Sequence, residues 1–245
     1  MGKKLKSEMK PEAVLSQMRR HLKEQRPITL FNTYQGLPIS SEAEVAMVHP
    51  GFVGLIVHPY QTVCIKLERR TFLRSAFVPD LVRAHPVSID YTNHVVMFKK
   101  LKIPRSISVD LDNAWVKPNH PVTLEVQPEN GDSFSSKLLA IAVLTGNSVR
   151  VVTAMSEDFP LARQDSLSVR FRLSSEGEWL NVQGQVQSLV KIRNKKQKQL
   201  EIAGKANMAD EISILAYIAE RQDQIMDELN RTYQKLRKEK RLVKH

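Results

Sequence analysis

Cysteine is almost absent: Cys64 is the only one in 245 residues. A lone cysteine closes no intramolecular disulfide and builds no cysteine zinc cluster. It stands between Val63 and Ile65 in an apolar run that reads as a strand, so a buried, inert thiol is expected. Nine glycines and twelve prolines are too few for a collagen-like or low-complexity tract. Aromatic residues make up only 6% and are not interleaved with the basic runs, which weighs against a base-stacking surface. No stretch approaches the roughly 18 apolar residues of a membrane span, and no long apolar core of a signal peptide opens the chain. The Met1-Gly2 start carries Lys6 where a myristoylation signal needs Ser or Thr. A cytoplasmic protein is expected.

Catalytic signatures are missing as well. None of the seven histidines forms a pair at metal-ligand spacing, and His49, His58, His85 and His120 each precede a proline, which reads as turns. No G-x-S-x-G, P-loop or dinucleotide fingerprint occurs. The acid pairs Glu42/Glu44 and Asp110/Asp112 read as solvent-facing strand positions. Neither an enzyme nor a bound cofactor or metal is expected.

Positive charge and apolar residues are abundant. The formal net charge is +11, which favours anionic partners, and 42% hydrophobic residues support real cores. Both ends are basic: Lys3, Lys4, Lys6 and Lys10 in one, Arg231 to Lys244 in the other. Such ends are solvated tails or grips for phosphate.

The spacing predicts a helix over residues 11–25, with Pro11 in its first turn, an apolar stripe of Val14, Leu15, Met18 and Leu22, and Pro27 beyond its end. Strand-like runs follow at 28–31, 44–48, 52–57, 61–67, 72–77, 81–89 and 94–98. A basic, proline-bearing stretch, Lys99 to Arg105, reads as a linker. Strands resume at 106–111, 122–126, 136–143, 148–153, 166–173, 179–190 and 199–203. Leu139, Ile141, Val143, Val149 and Val151 alternate around Thr145-Gly146-Asn147, the pattern of a hairpin with one buried face. A long helix begins near Asp210. Ile212, Leu215, Ile218, Ile225, Leu229 and Leu236 recur along it, its early part expected to dock and its Lys- and Arg-rich later part to project toward a partner.

The fold class is mainly β: two antiparallel β-barrel domains in tandem with flanking N- and C-terminal helices. The divisions are a basic helix over 1–26, a first barrel over 27–103, a second over 104–209, and a terminal helix with basic tail over 210–245.

In the second region the segments SSKLLAIAVLTGNSVRVVTA (135–154), ARQDSLSVRFRL (162–173), WLNVQGQVQSLVKI (179–192), QLEIAG (199–204) and EISILAYIAERQ (211–222) resemble a PilZ domain. The layout of the first region is similar to the split-barrel-like domain that precedes PilZ in flagellar-brake proteins. The resemblance spans about residues 27–225. It implies a six-stranded barrel with a C-terminal helix, and a bacterial cytosolic signalling protein that controls motility or surface behaviour through cyclic di-GMP.

Ligand binding in that family rests on R-x-x-x-R at the barrel entrance and D/N-x-S-x-x-G on an early hairpin. Guanidinium forks match phosphates and guanine edges. Here Arg105 is the one arginine at the entrance, with Lys100 and Lys102 adding charge. Thr145 stands for the serine, while Val143 and Ser148 occupy the places of the acid and the glycine. A second arginine group, Arg69, Arg70 and Arg74, lies in the first region, and reads either as solvated strand charges or as a phosphate site. The candidate ligand residues are therefore Arg105, Lys102, Lys100, Arg69, Arg70, Arg74 and Thr145. Two roles follow: a cyclic di-GMP receptor with a variant site, or a ligand-free adaptor that captures a protein through its C-terminal helix, with a homodimer left open. A nucleic-acid-binding barrel using the Arg193–Lys198 hairpin and the tails is the alternative.

Overall fold

The structure is a computed structural model that describes residues 11–104, 114–144, 148–174, 176–192 and 195–242. Its elements run α1 (Pro11–Glu24), β1 (Ile28–Tyr34), β2 (Leu37–His49), β3 (Phe52–Ile56), α2 (Pro59–Glu68), β4 (Thr71–Ser75), β5 (Val78–Asp90) and β6 (Val95–Lys102). Then come β7 (Thr123–Pro128), β8 (Phe134–Leu144), β9 (Ser148–Ser156), β10 (Ser166–Phe171), β11 (Leu180–Lys191), β12 (Gln197–Ala206) and α3 (Met208–Leu242). They form two closed six-stranded antiparallel barrels, ordered β1-β2-β3-β6-β5-β4 and β10-β11-β12-β9-β8-β7. The tandem-barrel fold with flanking helices is as the sequence predicts. The chain divides into two compact units: 1–34 with 38–112 and 226–245, and 35–37 with 113–225.

In the first unit, alternate residues of each strand point inward, so Ile28, Leu30, Val53, Leu55, Leu73 and Phe98 meet in one fully buried core. Val14 and Met18 of α1 join it. The stripe of α1 ends differently from its apolar pattern. Leu22 is 39% exposed, and His21 takes the buried face, with Nε2 2.6 Å from Ser75 Oγ and Nδ1 2.9 Å from the Arg26 carbonyl oxygen.

Residues 61–67, read as a strand, lie in helix α2. The reason is two-sided burial. Ile65 enters the barrel core, while Val63 and Cys64 pack with Leu229 and Tyr233 of α3. A helix covered on two faces loses its amphipathic period, and a short apolar run then looks the same as a buried strand. The decisive signals are at its ends. His58 caps the start by accepting the Tyr60 backbone N–H at Nδ1, 3.3 Å away, Pro59 opens the first turn, and Arg69 ends the helix in the left-handed conformation at φ 54°.

A second difference concerns Lys99 to Lys102, read as linker. These residues complete β6, where Lys99 pairs with His85 and Lys102 with Arg83. The strand expected at 106–111 lies outside the described residues.

In the second unit Leu124, Val126, Ile141, Val151, Val169, Phe171, Leu200 and Ile202 are all fully buried. The β8–β9 hairpin forms with Leu144 opposite Ser148 and Val143 opposite Val149; its turn, 145–147, lies outside the described residues. A register shift between Leu138 and Ala140 alters the expected alternation. The bulge moves Leu139 to the outside, where it is 38% exposed, and leaves Leu138 within. Where β11 meets β12, Gly184 faces Gly204.

Helix α3 departs from its expected division of labour. Ile214, Ile218 and Ile225 are buried in the second unit, but Ile212 and Leu215 are exposed. The later part does not project: Leu229 and Tyr233 are buried against α2, with Leu236 packed beside them.

Candidate functional site

Strand β4 places Phe72 and Arg74 on the outer face of the first barrel, because Leu73 between them points into the core beside Leu30, and Arg70 immediately precedes the strand. The strand pairings set up a row across four strands. Phe31 lies opposite Phe72, Phe72 opposite Arg83, and Arg83 opposite Lys102. Phe72 is only 3% exposed although it faces outward. Charged side chains cover the phenyl rings. The Arg70 guanidinium carbon lies 5.6 Å from the centre of the Phe72 ring, and that of Arg74 lies 4.9 Å from the Phe31 ring. Each such contact contributes about 0.5–1 kcal/mol and holds the guanidinium over its ring. The other faces and the edge N–H groups then remain for a ligand.

Arg70 is anchored from behind. Gln61 Nε2 donates to Asn32 Oδ1 at 2.8 Å, and Asn32 Nδ2 donates to the Arg70 carbonyl at 2.8 Å. Glu68 accepts from the Thr33 N–H at 2.5 Å and the Thr33 hydroxyl at 2.8 Å, while its other oxygen is 3.7 Å from Arg70 Nε. Arg74, Arg83 and Lys102 have no carboxylate at ion-pair distance among the described residues. Arg83 Nε is buried with no described acceptor. A buried guanidinium N–H without an acceptor costs free energy, which the fold bears at this position. The result is a preorganised cationic face with unspent hydrogen-bond donors.

The predicted site residues separate on this map. Arg70, Arg74 and Lys102 come together on the face. Lys100 lies two residues before Lys102 at a bulge, with φ 55°, and is exposed. Arg69 is the α2 cap, and its carbonyl oxygen lies 3.3 Å from His85 Nδ1. Arg105 and Thr145 lie outside the described residues. Arg83, Phe31 and Phe72 were not singled out from the sequence; the available signal was the R-x-F-x-R alternation, which puts an aromatic between two cations on one face of a strand.

The second barrel offers different chemistry. At the hairpin stem Val143 and Ser148 are half-buried. The nearby Arg150 is already neutralised by Glu201, which also accepts from Ser188 Oγ at 3.0 Å. Lys191, near the β11–β12 tip and just before the Arg193–Lys198 hairpin, is paired with Glu157. A depression of about 670 Å³ on its outer face is lined by Gln127, Ser166, Ser168, Gln183 and Gln185 with Glu129, and carries no cation. Among the described residues no group of three His, Cys, Asp or Glu could hold a metal ion, and no helix is long and apolar enough to cross a membrane.

No family model matches the chain, and no curated protein matches it. Solved structures similar to it include an inhibitor of motility from Bacillus subtilis, MotI/DgrA, 11% identical over 81% of this chain and 96% of that one, at a TM-score of 0.42. They also include YcgR from Escherichia coli in complex with c-di-GMP, 10% identical over 91% and 96% of the two chains, at 0.42. The complex of K. pneumonia MrkH with c-di-GMP is 12% identical over 92% and 97%, at 0.40.

Proposed function

We propose that this is a PilZ-type regulatory protein of the bacterial cytoplasm, without enzymatic activity, that binds cyclic di-GMP through a variant site on its first barrel. The observation that carries the reading is the outer row of Phe31, Phe72, Arg83 and Lys102 with Arg70 and Arg74 beside it. A cyclic dinucleotide presents two phosphates and two purines. Guanidinium groups bind phosphate by paired N–H bonds and stack on purine faces, and Arg74 and Arg83 bring two with no carboxylate at ion-pair distance among the described residues. The β8–β9 hairpin supplies neither a carboxylate nor a glycine at Val143 and Ser148, so recognition passes to the arginines of β4 and β5.

Titration calorimetry of the full chain with cyclic di-GMP tests this. Micromolar or tighter binding is expected, weakened about 10- to 100-fold by Arg74→Ala or Arg83→Ala, since a charge-assisted hydrogen bond contributes about 1.5–3 kcal/mol. Absence of heat at high protein concentration refutes the receptor and leaves a ligand-free adaptor; binding by both variants as tight as that of the native chain refutes the β4–β5 site.

A further inference from the structure

Helix α3 carries an apolar face that the described residues leave uncovered. Met208, Ile212 and Leu215 are 80%, 58% and 43% exposed, and the exposed Ala219 extends the line at helical spacing. The adjoining side of the helix is buried through Ile214 and Ile218 and, farther along, Ile225. Arg221 is also buried there, donating from Nε to the Lys117 carbonyl at 2.9 Å. The exposed stripe therefore widens the apolar face of the helix beyond the part that packs. Large aliphatic side chains at consecutive seam positions mark a surface made to be covered.

The flanks identify what covers it. Helical spacing puts Glu211 on one side of the stripe and Glu220 and Asp223 on the other. The only cation in this stretch, Arg221, is turned inward. In a chain of net charge +11 this face is locally acidic. A second copy would bring the same acids against it, so self-pairing through the stripe sets like charges together. We infer that the Met208–Ala219 face docks a basic amphipathic helix of a partner protein, with aliphatic residues seated on Ile212 and Leu215 and Lys or Arg residues facing Glu211, Glu220 and Asp223. Helix-on-helix recognition of this kind reads apolar anchors at helical spacing and takes its specificity from flanking charge.

The probe is a pair of synthetic helical peptides of about 18 residues, enough for five turns. Both carry leucine at seam spacing; one has lysine flanks and the other glutamate flanks. Fluorescence anisotropy against the full chain is expected to give micromolar binding of the lysine peptide, at least 10-fold weaker binding of the glutamate peptide, and a decline with added salt. Ile212→Ser/Leu215→Ser should weaken the lysine peptide at least 10-fold with an unchanged melting curve, since both side chains are at the surface. Glu220→Gln/Asp223→Asn should weaken it several-fold. Equal binding of the two peptides, unaltered binding by the serine variant, or no binding of the lysine peptide overturns the inference. So does light scattering that shows a dimer dissolved by the serine variant, which would assign the face to a second copy.

Discussion

Replacing Gly184 with alanine is expected to open the second barrel, and the geometry sets the size of the effect. A Cβ on Gly184 would stand 2.6 Å from the Gly204 Cα, and a Cβ on Gly204 would stand 2.8 Å from the Gly184 Cα. Carbon atoms settle at about 3.5–4.0 Å, so β11 and β12 must part by roughly 1 Å. Both obstacles are backbone, which no rotamer change can relieve. Overpacking costs about 1–3 kcal/mol, and stretching two ladder hydrogen bonds adds about 1 kcal/mol each. Alanine returns about 0.5–1 kcal/mol by narrowing the unfolded ensemble. The net loss is about 2–4 kcal/mol. Gly131→Ala is the control: φ is 138° and the nearest atom to a new Cβ is Pro128 Cβ at 3.9 Å, so backbone strain alone, about 1–3 kcal/mol before the same unfolded-state gain, is expected. Both tryptophans, Trp115 and Trp179, belong to the same unit as these glycines. Tryptophan fluorescence in urea therefore follows the barrel that is perturbed. A Gly184→Ala midpoint at or above that of Gly131→Ala, with equal slopes, refutes the argument.

Three further outcomes follow from the first unit. Burial, with a lesser contribution from Glu68, pushes the Cys64 thiol up to about 12, so at neutral pH it should resist disulfide reagents until the protein unfolds; stoichiometric labelling of the native chain refutes its burial. Burial and the neighbouring His94 hold His58 below its ordinary value. Unfolded chain then takes up the proton at higher pH than folded chain, so stability is full above pH 6.5 and falls as the pH drops below it; urea midpoints at pH 7.5 and 5.5 should differ less in His58→Asn, which keeps a cap, and an equal difference refutes the assignment. Asn32→Ala strands Gln61 Nε2 and the Arg70 carbonyl, for a loss of about 2–4 kcal/mol; it should also weaken any ligand of the β4 face, and a melting curve like that of the native chain refutes the relay.

The barrels were legible because their strands alternate or run apolar between Pro, Gly and Asn breaks, as in Val149 and Val151 of β9. Helix α2 was hidden because Val63, Cys64 and Ile65 are all buried, which erases the period on which a helix is recognised. The inside–outside assignment of Leu139 failed for a different reason. A bulge adds one residue without leaving a compositional mark, so the alternation that holds at Ile141 cannot be carried back across it to Leu139. For the candidate site, the sequence supplied Arg70, Arg74 and Lys102 but not Arg83, because strand register alone sets Arg83 against Phe72. The α3 stripe was read as packing since periodicity reports an apolar face without reporting whether anything covers it.

Two-sided burial of α2 also bears on the order in which this chain becomes a protein. The outer cover of Val63 and Cys64 is Leu229 and Tyr233, and His94 Nε2 meets the Tyr233 hydroxyl at 2.7 Å. These partners are synthesised after every strand of both barrels. Domains emerging from the ribosome ordinarily fold from the N-terminus onward, but here the first barrel keeps an apolar wound on α2 until the last helix arrives. Nascent chains stalled before residue 226 should bind chaperones through that region, and release should coincide with the appearance of Leu229 and Tyr233. The first unit to be made is thus the last to be finished.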